Sequence, residues 1–258
     1  MRDTLKDKDY WDFYIQDVSE FIKEIEGRYF TEGRPYKKRI HDTSAIATYR
    51  FDLTCAYYSS GAPIEECVAP ARQLLIHDYP RFIDVLREQP KQAGGWVGSW
   101  DFITRYLALA VLSQQTPEES KPLVDAVDFW QRFGDRDALW EKFIAYLGHG
   151  KGREPVGKLL MAYAYEPLLE ALDEEGTDLT RQAALRNFDK DWLKNMRKTT
   201  SPRYSDHDNV HNTYVGYWNF EAAAAAVMMN IDDSILEGSK TYPKDWADWA
   251  RLRKMNKQ

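Results

Sequence analysis

The chain has 258 residues, a formal net charge of -6 and an aromatic content of 14%. This length suffices for one large domain or two modest ones, with an ample core. The negative charge is concentrated in residues 101–180, which carry 15 acidic and 8 basic side chains. Such a distribution argues against nucleic acid as the direct ligand. It suits either a basic protein partner or a well-solvated surface.

Cysteine usage and the first residues of the chain bear on the compartment. The two cysteines, Cys55 and Cys67, form neither a Cys-x-x-Cys pair nor a disulfide framework. The stretch from Met1 to Asp9 is charged and has no apolar core, so it does not resemble a secretory signal. We therefore expect a cytoplasmic protein, and the motifs predict no cofactor.

Apolar residues recur at helical spacing through the first part of the chain. They predict a helix over residues 10–29, a second helix over residues 38–59 that Gly61 closes, and a third that begins at Pro63. Pro80 is expected to kink or divide the third helix. The first part of the chain is thus expected to be helical.

The same periodicity continues through the middle and the C-terminal third. The Thr-Pro-Glu-Glu sequence at residues 116–119 is a helix start signal, because a capping Thr is followed by Glu at the third helical position. Residues 148–153 predict a connecting loop, and Pro155 is expected to begin the next helix. No segment shows convincing period-two alternation. The prediction is an all-α, multi-helical fold of about nine or ten helices packed as hairpins.

Domain organisation is only weakly marked, since no Ser/Gly linker divides the chain. We expect an N-terminal helical domain over residues 1–120 and a C-terminal helical domain over residues 121–250. The two domains either pack closely or form one unit.

Residues 213–230 predict the buried helix around which the others pack. Nearly every side chain in this stretch is apolar, and five consecutive alanines at residues 222–226 favour a helix that neighbours can approach closely. Glu221 is the exception, because an unpaired buried carboxylate is costly. It is expected to be paired, with Arg50 as a plausible mate. It could be either a structural buried pair or a catalytic acid.

Three His-Asp dipeptides raise a metal-dependent alternative. Helical metal phosphohydrolases use His and Asp together to hold divalent ions, and His41, His77 and Asp78 imitate that order. His207 and His211 are four residues apart, but they lie in a Pro- and Asp-rich stretch that reads as a loop. The alternative hypothesis is therefore a phosphohydrolase that uses His41, His77 and Asp78.

Two clusters of carboxylates lie within the acidic middle of the chain. As a group they could form a surface for a cationic partner, although singly they are ordinary solvated positions. The candidate partner-binding residues are Glu118, Glu119, Asp125, Asp128, Glu170, Asp173, Glu174 and Glu175. Exposed members of Trp130, Trp140 and Tyr146 would be the aromatic anchors.

The stretch Tyr214-Val-Gly-Tyr-Trp-Asn-Phe-Glu-Ala-Ala-Ala, with Asn230-Ile-Asp-Asp and Tyr242-Pro243 after it, resembles the C-terminal domain of the PoNi-type immunity proteins. Arg2-Asp3 and the Tyr-Arg-Phe-Asp sequence at residues 49–52 are similar to the matching N-terminal domain. The resemblance marks the following residues as architecture rather than as a site: Tyr214, Tyr217, Trp218 and Glu221.

This resemblance implies an all-helical, non-catalytic protein that protects a bacterium from a cognate toxin. The toxins of that family are PoNe-type DNases delivered by contact-dependent secretion, such as type VI secretion. The implied partner is thus the basic nuclease domain of a toxin, with neither direct nucleic-acid nor membrane binding. A helical scaffold that docks some other basic protein is the remaining alternative, and the oligomeric state stays open.

Overall fold

The computed structural model describes residues 1–93, 100–131, 136–198, 207–208 and 213–255. These residues are predominantly α-helical, and no strand occurs among them, which confirms the all-α prediction. The helices are α1 (Lys8–Tyr29), α2 (Tyr36–Ser60), α3 (Ile64–Gln73), α4 (Tyr79–Glu88), α5 (Pro90–Ala93), α6 (Trp100–Leu112), α7 (Pro117–Gln131), α8 (Ala138–Ile144), α9 (Ala162–Ala171), α10 (Asp178–Met196), α11 (Phe220–Met228) and α12 (Lys244–Met255). His211 of the two-histidine pattern lies outside the described residues.

The chain divides into two compact units. The first unit comprises residues 1–97 and 205–216, and the second comprises residues 98–204 and 217–258. The chain therefore leaves the first unit and later returns to it. The domain boundary at residue 120, which the sequence analysis expects, stays a prediction.

In the first unit, α1 packs against α2 through one apolar face. Trp11, Tyr14, Val18, Ile22 and Ile25 are buried, and their spacing of three and four residues places them on one side of the helix. The Asp7 carboxylate accepts a hydrogen bond from the Tyr10 backbone N–H and caps the helix.

α2 lies at the centre of the first unit and contacts α1, α3 and α4. It ends at Gly61, as its sequence predicts, because Gly61 adopts a φ of 90° that favours glycine. A π-helical turn, Leu74–Asp78, connects α3 to α4 where Pro80 was expected to disturb the helix.

Arginines pair with two of the buried carboxylates of the first unit, Asp42 and Asp78. Arg34 and Arg28 both approach Asp42, the latter at 3.4 Å. Arg50 Nε lies 2.8 Å from Asp78 Oδ2. A buried charge needs such a partner, because transfer out of water is costly for an isolated ion.

Residues 213–216 return to the first unit as a non-helical strap. The Tyr214 hydroxyl donates to Asp3 Oδ2 at 2.5 Å, and the Tyr10 hydroxyl donates to the Tyr214 carbonyl at 2.7 Å. Ser59 Oγ donates to the Val215 carbonyl at 2.8 Å. These bonds join residues that are more than 150 positions apart in the sequence.

The predicted helix over residues 213–230 is therefore wrong in its first third. Gly216 has a φ of 101°, outside the helical region, and Asn219 caps α11 by accepting from the Ala222 backbone N–H at 3.0 Å. The helix begins only at Phe220.

In the second unit, α6 and α11 pack against each other at the centre. Residues 222–226 of α11 and residues 107–110 of α6 have no exposed surface. Alanine side chains allow the two backbones a close approach. The alanine-rich stretch is thus a buried helix, as its sequence predicts, although a shorter one.

Residues 150–161 form a loop without helix or strand between a π-helical turn, Ala145–His149, and α9. The prediction that Pro155 begins a helix is wrong, since α9 begins at Ala162. The backbone instead bonds to the start of α8: the Ala138 N–H donates to the Lys158 carbonyl at 2.7 Å, and Asp137 Oδ2 accepts from the Leu160 N–H at 2.7 Å.

Among the described residues, none of the helices combines the length and the apolar character that crossing a bilayer requires.

Candidate protein-binding surface

The first acidic cluster begins at the N-terminus of α7, where a capping box forms. Glu119 Oε2 accepts from the Thr116 backbone N–H at 2.9 Å, and the Glu119 N–H donates to Thr116 Oγ1 at 3.3 Å. Glu118 is exposed, and hydrogen bonds from its own backbone N–H and from the Thr116 hydroxyl lower the pKa of its carboxyl. Glu119 thus caps the helix, whereas Glu118 carries an exposed negative charge.

Asp125 and Asp128, further along α7, are paired with cations. Lys121 Nζ lies 2.5 Å from Asp125 Oδ1. Arg153 binds both oxygens of Asp128, at 2.7 and 3.0 Å. The same guanidinium also reaches Glu141 at 2.5 Å, and hydrogen bonds with Glu141 and Asp128 raise the pKa of Arg153. These pairs reduce the negative field of α7.

The second acidic cluster forms a turn between α9 and α10, which we call the acidic turn (residues 170–178). Four candidate carboxylates in it are exposed: Glu170, Asp173, Glu174 and Glu175. Arg181 braces the turn by donating to the backbone carbonyls of Asp173 and Glu174, at 2.8 and 2.7 Å. Lys142 lies 3.2 Å from Glu174. The acidic turn is thus a braced, solvent-facing group of negative charges.

Two of the three expected aromatic anchors are not at the surface. Trp130 and Trp140 are 4% and 3% exposed. The Trp140 indole N–H donates to Thr104 Oγ1 at 3.0 Å, so the ring is fixed inside the second unit. Tyr146 is half-buried, with Lys254 Nζ 5.1 Å from its ring centroid. Helical periodicity alone did not distinguish an inward tryptophan from an outward one.

Glu221 is fully buried, as its setting in the sequence predicts, but its partner is not Arg50. Arg105 Nε lies 3.6 Å from Glu221 Oε1, and the Tyr165 hydroxyl donates to the same oxygen at 3.3 Å. Arg50 instead binds Asp78 in the first unit. A carboxylate without exposed surface that is held by a buried arginine fits the structural pair, not the catalytic acid.

Tyr217 and Trp218, the other members of the motif, are 9% and 8% exposed. Arg197 Nη2 donates to the Tyr217 hydroxyl at 3.3 Å, and its guanidinium lies 5.5 Å from the ring centroid. Asn219 Nδ2 also donates to Asp189 Oδ1 at 3.0 Å, which ties α11 to α10. The motif is therefore packed inside the protein.

Among the described residues, the structure does not bring together the metal ligands that the phosphohydrolase alternative requires. His41 and His77 are exposed, whereas the Asp78 side chain is buried beside Arg50. Within the described ranges, no group of three His, Cys, Asp or Glu side chains could hold a metal ion.

Sequence reasoning missed Arg153, which links α7, α8 and the 150–161 loop. The glycines around it predicted a flexible connector, and only the carboxylates at Asp128 and Glu141 give it a fixed position. The only sequence signal for this position of Arg153 was the presence of opposite charges on neighbouring helices. Such charges do not specify which residues form ion pairs.

The C-terminal part of the chain matches a known protein family. The family model described as PoNe immunity proteins (PoNi), C-terminal, matches residues 135–246. Residues 135–246 belong to the PoNi family. The match spans α8 to α11, the strap and the first turn of α12, and so includes Tyr214, Tyr217, Trp218 and Glu221. The PoNi resemblance of the N-terminal half lies outside the matched residues and stays a prediction.

Among solved structures, the chain is similar to the crystal structure of protein PA2201 from Pseudomonas aeruginosa. The TM-score is 0.65 at 16% sequence identity, over 98% of this chain and 91% of that chain. At this identity the likeness concerns the fold alone. No curated protein matches the chain at a significant level.

Proposed function

We propose that this protein is an immunity protein that binds a cognate PoNe-type toxin and neutralises its DNase activity by direct contact. The match of residues 135–246 to the PoNi family carries the proposal. The protein acts by occupancy and not by turnover, so one molecule protects against one toxin.

The charge distribution of the second unit supports this function. A DNase must bind a polyanion, so the surface around its active site is basic. The acidic turn presents five exposed carboxylates to solvent: Glu170, Asp173, Glu174, Glu175 and Asp178. Opposite charges speed the encounter of two proteins and select the orientation in which they meet. The acidic turn is therefore our candidate for the toxin-steering part of the surface.

The burial of the family motif fits a scaffold role. Tyr214 and Glu221 are 1% and 0% exposed, so neither can touch a partner while the protein is folded. Recognition must then come from exposed residues outside the motif. We place the protein in the cytoplasm, where a DNase meets chromosomal DNA.

Co-purification with the toxin encoded beside the gene tests the proposal. We expect a tagged immunity protein to retain the toxin, and we expect cells that express both proteins to survive toxin production. A matched control uses a PoNe-type toxin from an unrelated locus, which should neither bind nor be neutralised. Growth arrest despite expression of the folded protein would count against the proposed function.

A further inference from the structure

The 150–161 loop is a segment of the second unit that has neither helix nor strand. Its residues are exposed or half-buried, and it lies at the surface between the π-helical turn and α9. With its twelve residues, this loop only reaches the length above which loops without secondary structure become uncommon in compact domains, and such long loops are usually functional or disordered. The hydrogen bonds of this loop distinguish between those two outcomes.

Five contacts hold the loop on α7, on α8 and on the residues just before α8. Arg153 binds Asp128 and Glu141, and Arg136 Nη2 donates to the Glu154 carbonyl at 2.8 Å. The backbone at Lys158 and Leu160 bonds to the first residues of α8. A loop that is ordered before binding loses less conformational entropy when a partner docks.

The apolar side chains of the loop are not taken into the core. Pro155 is exposed, whereas Val156, Leu159, Leu160 and Met161 are half-buried. A loop that merely covered the core would bury these side chains. A run of ordered, partly exposed apolar residues is typical of a protein-binding surface.

The exposed face of α9 continues this apolar surface towards the acidic turn. Tyr163 is 53% exposed, and Glu166 and Glu170 follow it at spacings of three and four residues on the same side of the helix. The opposite side of α9, which includes Tyr165 and Leu168, is buried. At about 1.5 Å per residue, the two ends of α9 are about 14 Å apart, which is well within one interface.

We propose that the 150–161 loop and Tyr163 form the apolar anchor of the toxin-binding surface, and that the carboxylates of α9 and the acidic turn form its charged rim. This inference rests on the proposed function. The partner is the basic nuclease domain, because the exposed charges of this surface are net negative. Its exposed lysines are Lys151, Lys158 and Lys198, the last of which lies 5.9 Å from the Tyr163 ring centroid. They are outnumbered by the exposed carboxylates Glu154, Glu166, Glu170, Asp173, Glu174 and Glu175. Interfaces commonly place an apolar, well-packed centre inside a polar rim.

Two single substitutions test the anchor. Val156→Asp and Tyr163→Asp each place a charge in the apolar part of the surface. Binding to the purified nuclease domain is measured by biolayer interferometry, and thermal unfolding is measured in parallel. We expect each variant to bind at least about tenfold more weakly, mainly through faster dissociation, with an unchanged unfolding temperature.

Matched controls carry the same change at exposed apolar residues elsewhere. Phe13 on α1 is 62% exposed and Leu252 on α12 is 59% exposed. Phe13→Asp and Leu252→Asp should bind the nuclease domain as the parent protein does. If Val156→Asp also lowers the unfolding temperature, Tyr163→Asp decides, because its side chain is more exposed.

The outcomes separate this inference from the proposed function. Parent protein that binds and inhibits the nuclease while Tyr163→Asp binds equally well overturns the anchor and leaves the immunity function standing. Equal losses in Tyr163→Asp and in both controls also overturn it, since binding would then be insensitive to position. Failure of the parent protein to bind its cognate nuclease rejects the proposed function and, with it, this inference.

Discussion

At the scale of single residues, the buried Glu221–Arg105 pair shows how charge is held inside the second unit. Both side chains are at most 3% exposed, and the Tyr165 hydroxyl supplies a further hydrogen bond to the carboxylate. Removing one member of such a pair leaves the other charge buried, which costs more than the pair itself contributes.

We therefore predict that Arg105→Met lowers the free energy of unfolding by about 3–5 kcal/mol. The double variant Arg105→Met with Glu221→Gln should lose less than the sum of the two single losses, because no buried charge remains. Urea denaturation of the four proteins measures this double-mutant cycle. A loss below about 1 kcal/mol for Arg105→Met, or strictly additive losses, would show that the pair is not coupled.

A second residue-scale prediction concerns Tyr10, whose hydroxyl donates to the Tyr214 carbonyl. Burial raises the pKa of Tyr10 to about 12, against an ordinary value of 10.0. Between pH 10 and 12 the unfolded chain therefore loses this proton first. The folded state then binds more protons than the unfolded state, so the contribution is present below pH 10 and falls as the pH rises.

Tyr10→Phe removes this titration. We predict that the free energy of unfolding falls less between pH 9 and pH 11 in Tyr10→Phe than in the parent protein. Urea denaturation at the two pH values gives the comparison. Tyr163→Phe is the control, because Tyr163 is exposed and its variant should follow the parent protein. Identical losses in Tyr10→Phe and the parent protein would contradict the assigned cause.

At the scale of elements, the sequence predicts where helices occur more reliably than the residues at which they begin and end. The periodicity of α1 and the Gly61 end of α2 were predicted because each depends on neighbours in the sequence. The start of α11 was not predicted because the apolar pattern continues back to residue 213 and does not mark Asn219 as the cap. The start of α9 was not predicted because Asp137, just before α8, accepts a hydrogen bond from the Leu160 backbone N–H. This bond holds the residues after Pro155 in a non-helical loop.

The 150–161 loop gives the element-scale prediction. Arg153→Gln removes the charged hydrogen bonds to Asp128 and Glu141 but keeps a polar side chain. We expect faster amide hydrogen exchange in residues 154–158 and a stability loss of about 1–2 kcal/mol, since the site is partly solvated. Hydrogen exchange followed by mass spectrometry measures the loop directly.

Arg181→Gln is the matched control for this experiment, because Arg181 braces the acidic turn instead. It should leave exchange in residues 154–158 unchanged. Equal protection of the loop in Arg153→Gln and the parent protein would mean that Arg153 does not fix its position.

At the scale of the whole molecule, composition and periodicity were sufficient for the all-α class but not for the path of the chain. The strap at residues 213–216 belongs to the first unit because Tyr214 meets Asp3 and Tyr10, which lie about 200 residues earlier. Hydrogen bonds over such separations leave no local pattern. The same holds for the candidate site. The acidic residues could be identified from the sequence, whereas the ion pairs that Lys121 and Arg153 form with them could not.

Charge steering by the acidic turn can be tested by reversal. Replacing Glu170, Asp173, Glu174 and Glu175 by lysine should slow association with the nuclease domain by at least about tenfold at low salt, and less at high salt. The control reverses four exposed carboxylates of α1 with the same change in net charge: Asp12, Asp17, Glu20 and Glu24. Equal slowing in both proteins would assign the effect to net charge alone. Stopped-flow association rates measure the difference.

The central claim is that protection comes from stoichiometric binding to one toxin. Titration of the purified protein against a fixed, micromolar concentration of the cognate nuclease domain, with DNA cleavage as the readout, tests it most directly. The account predicts a linear loss of cleavage that reaches completion at one equivalent. Undiminished cleavage at a several-fold excess of folded protein, or complete protection at a small fraction of an equivalent, would contradict it.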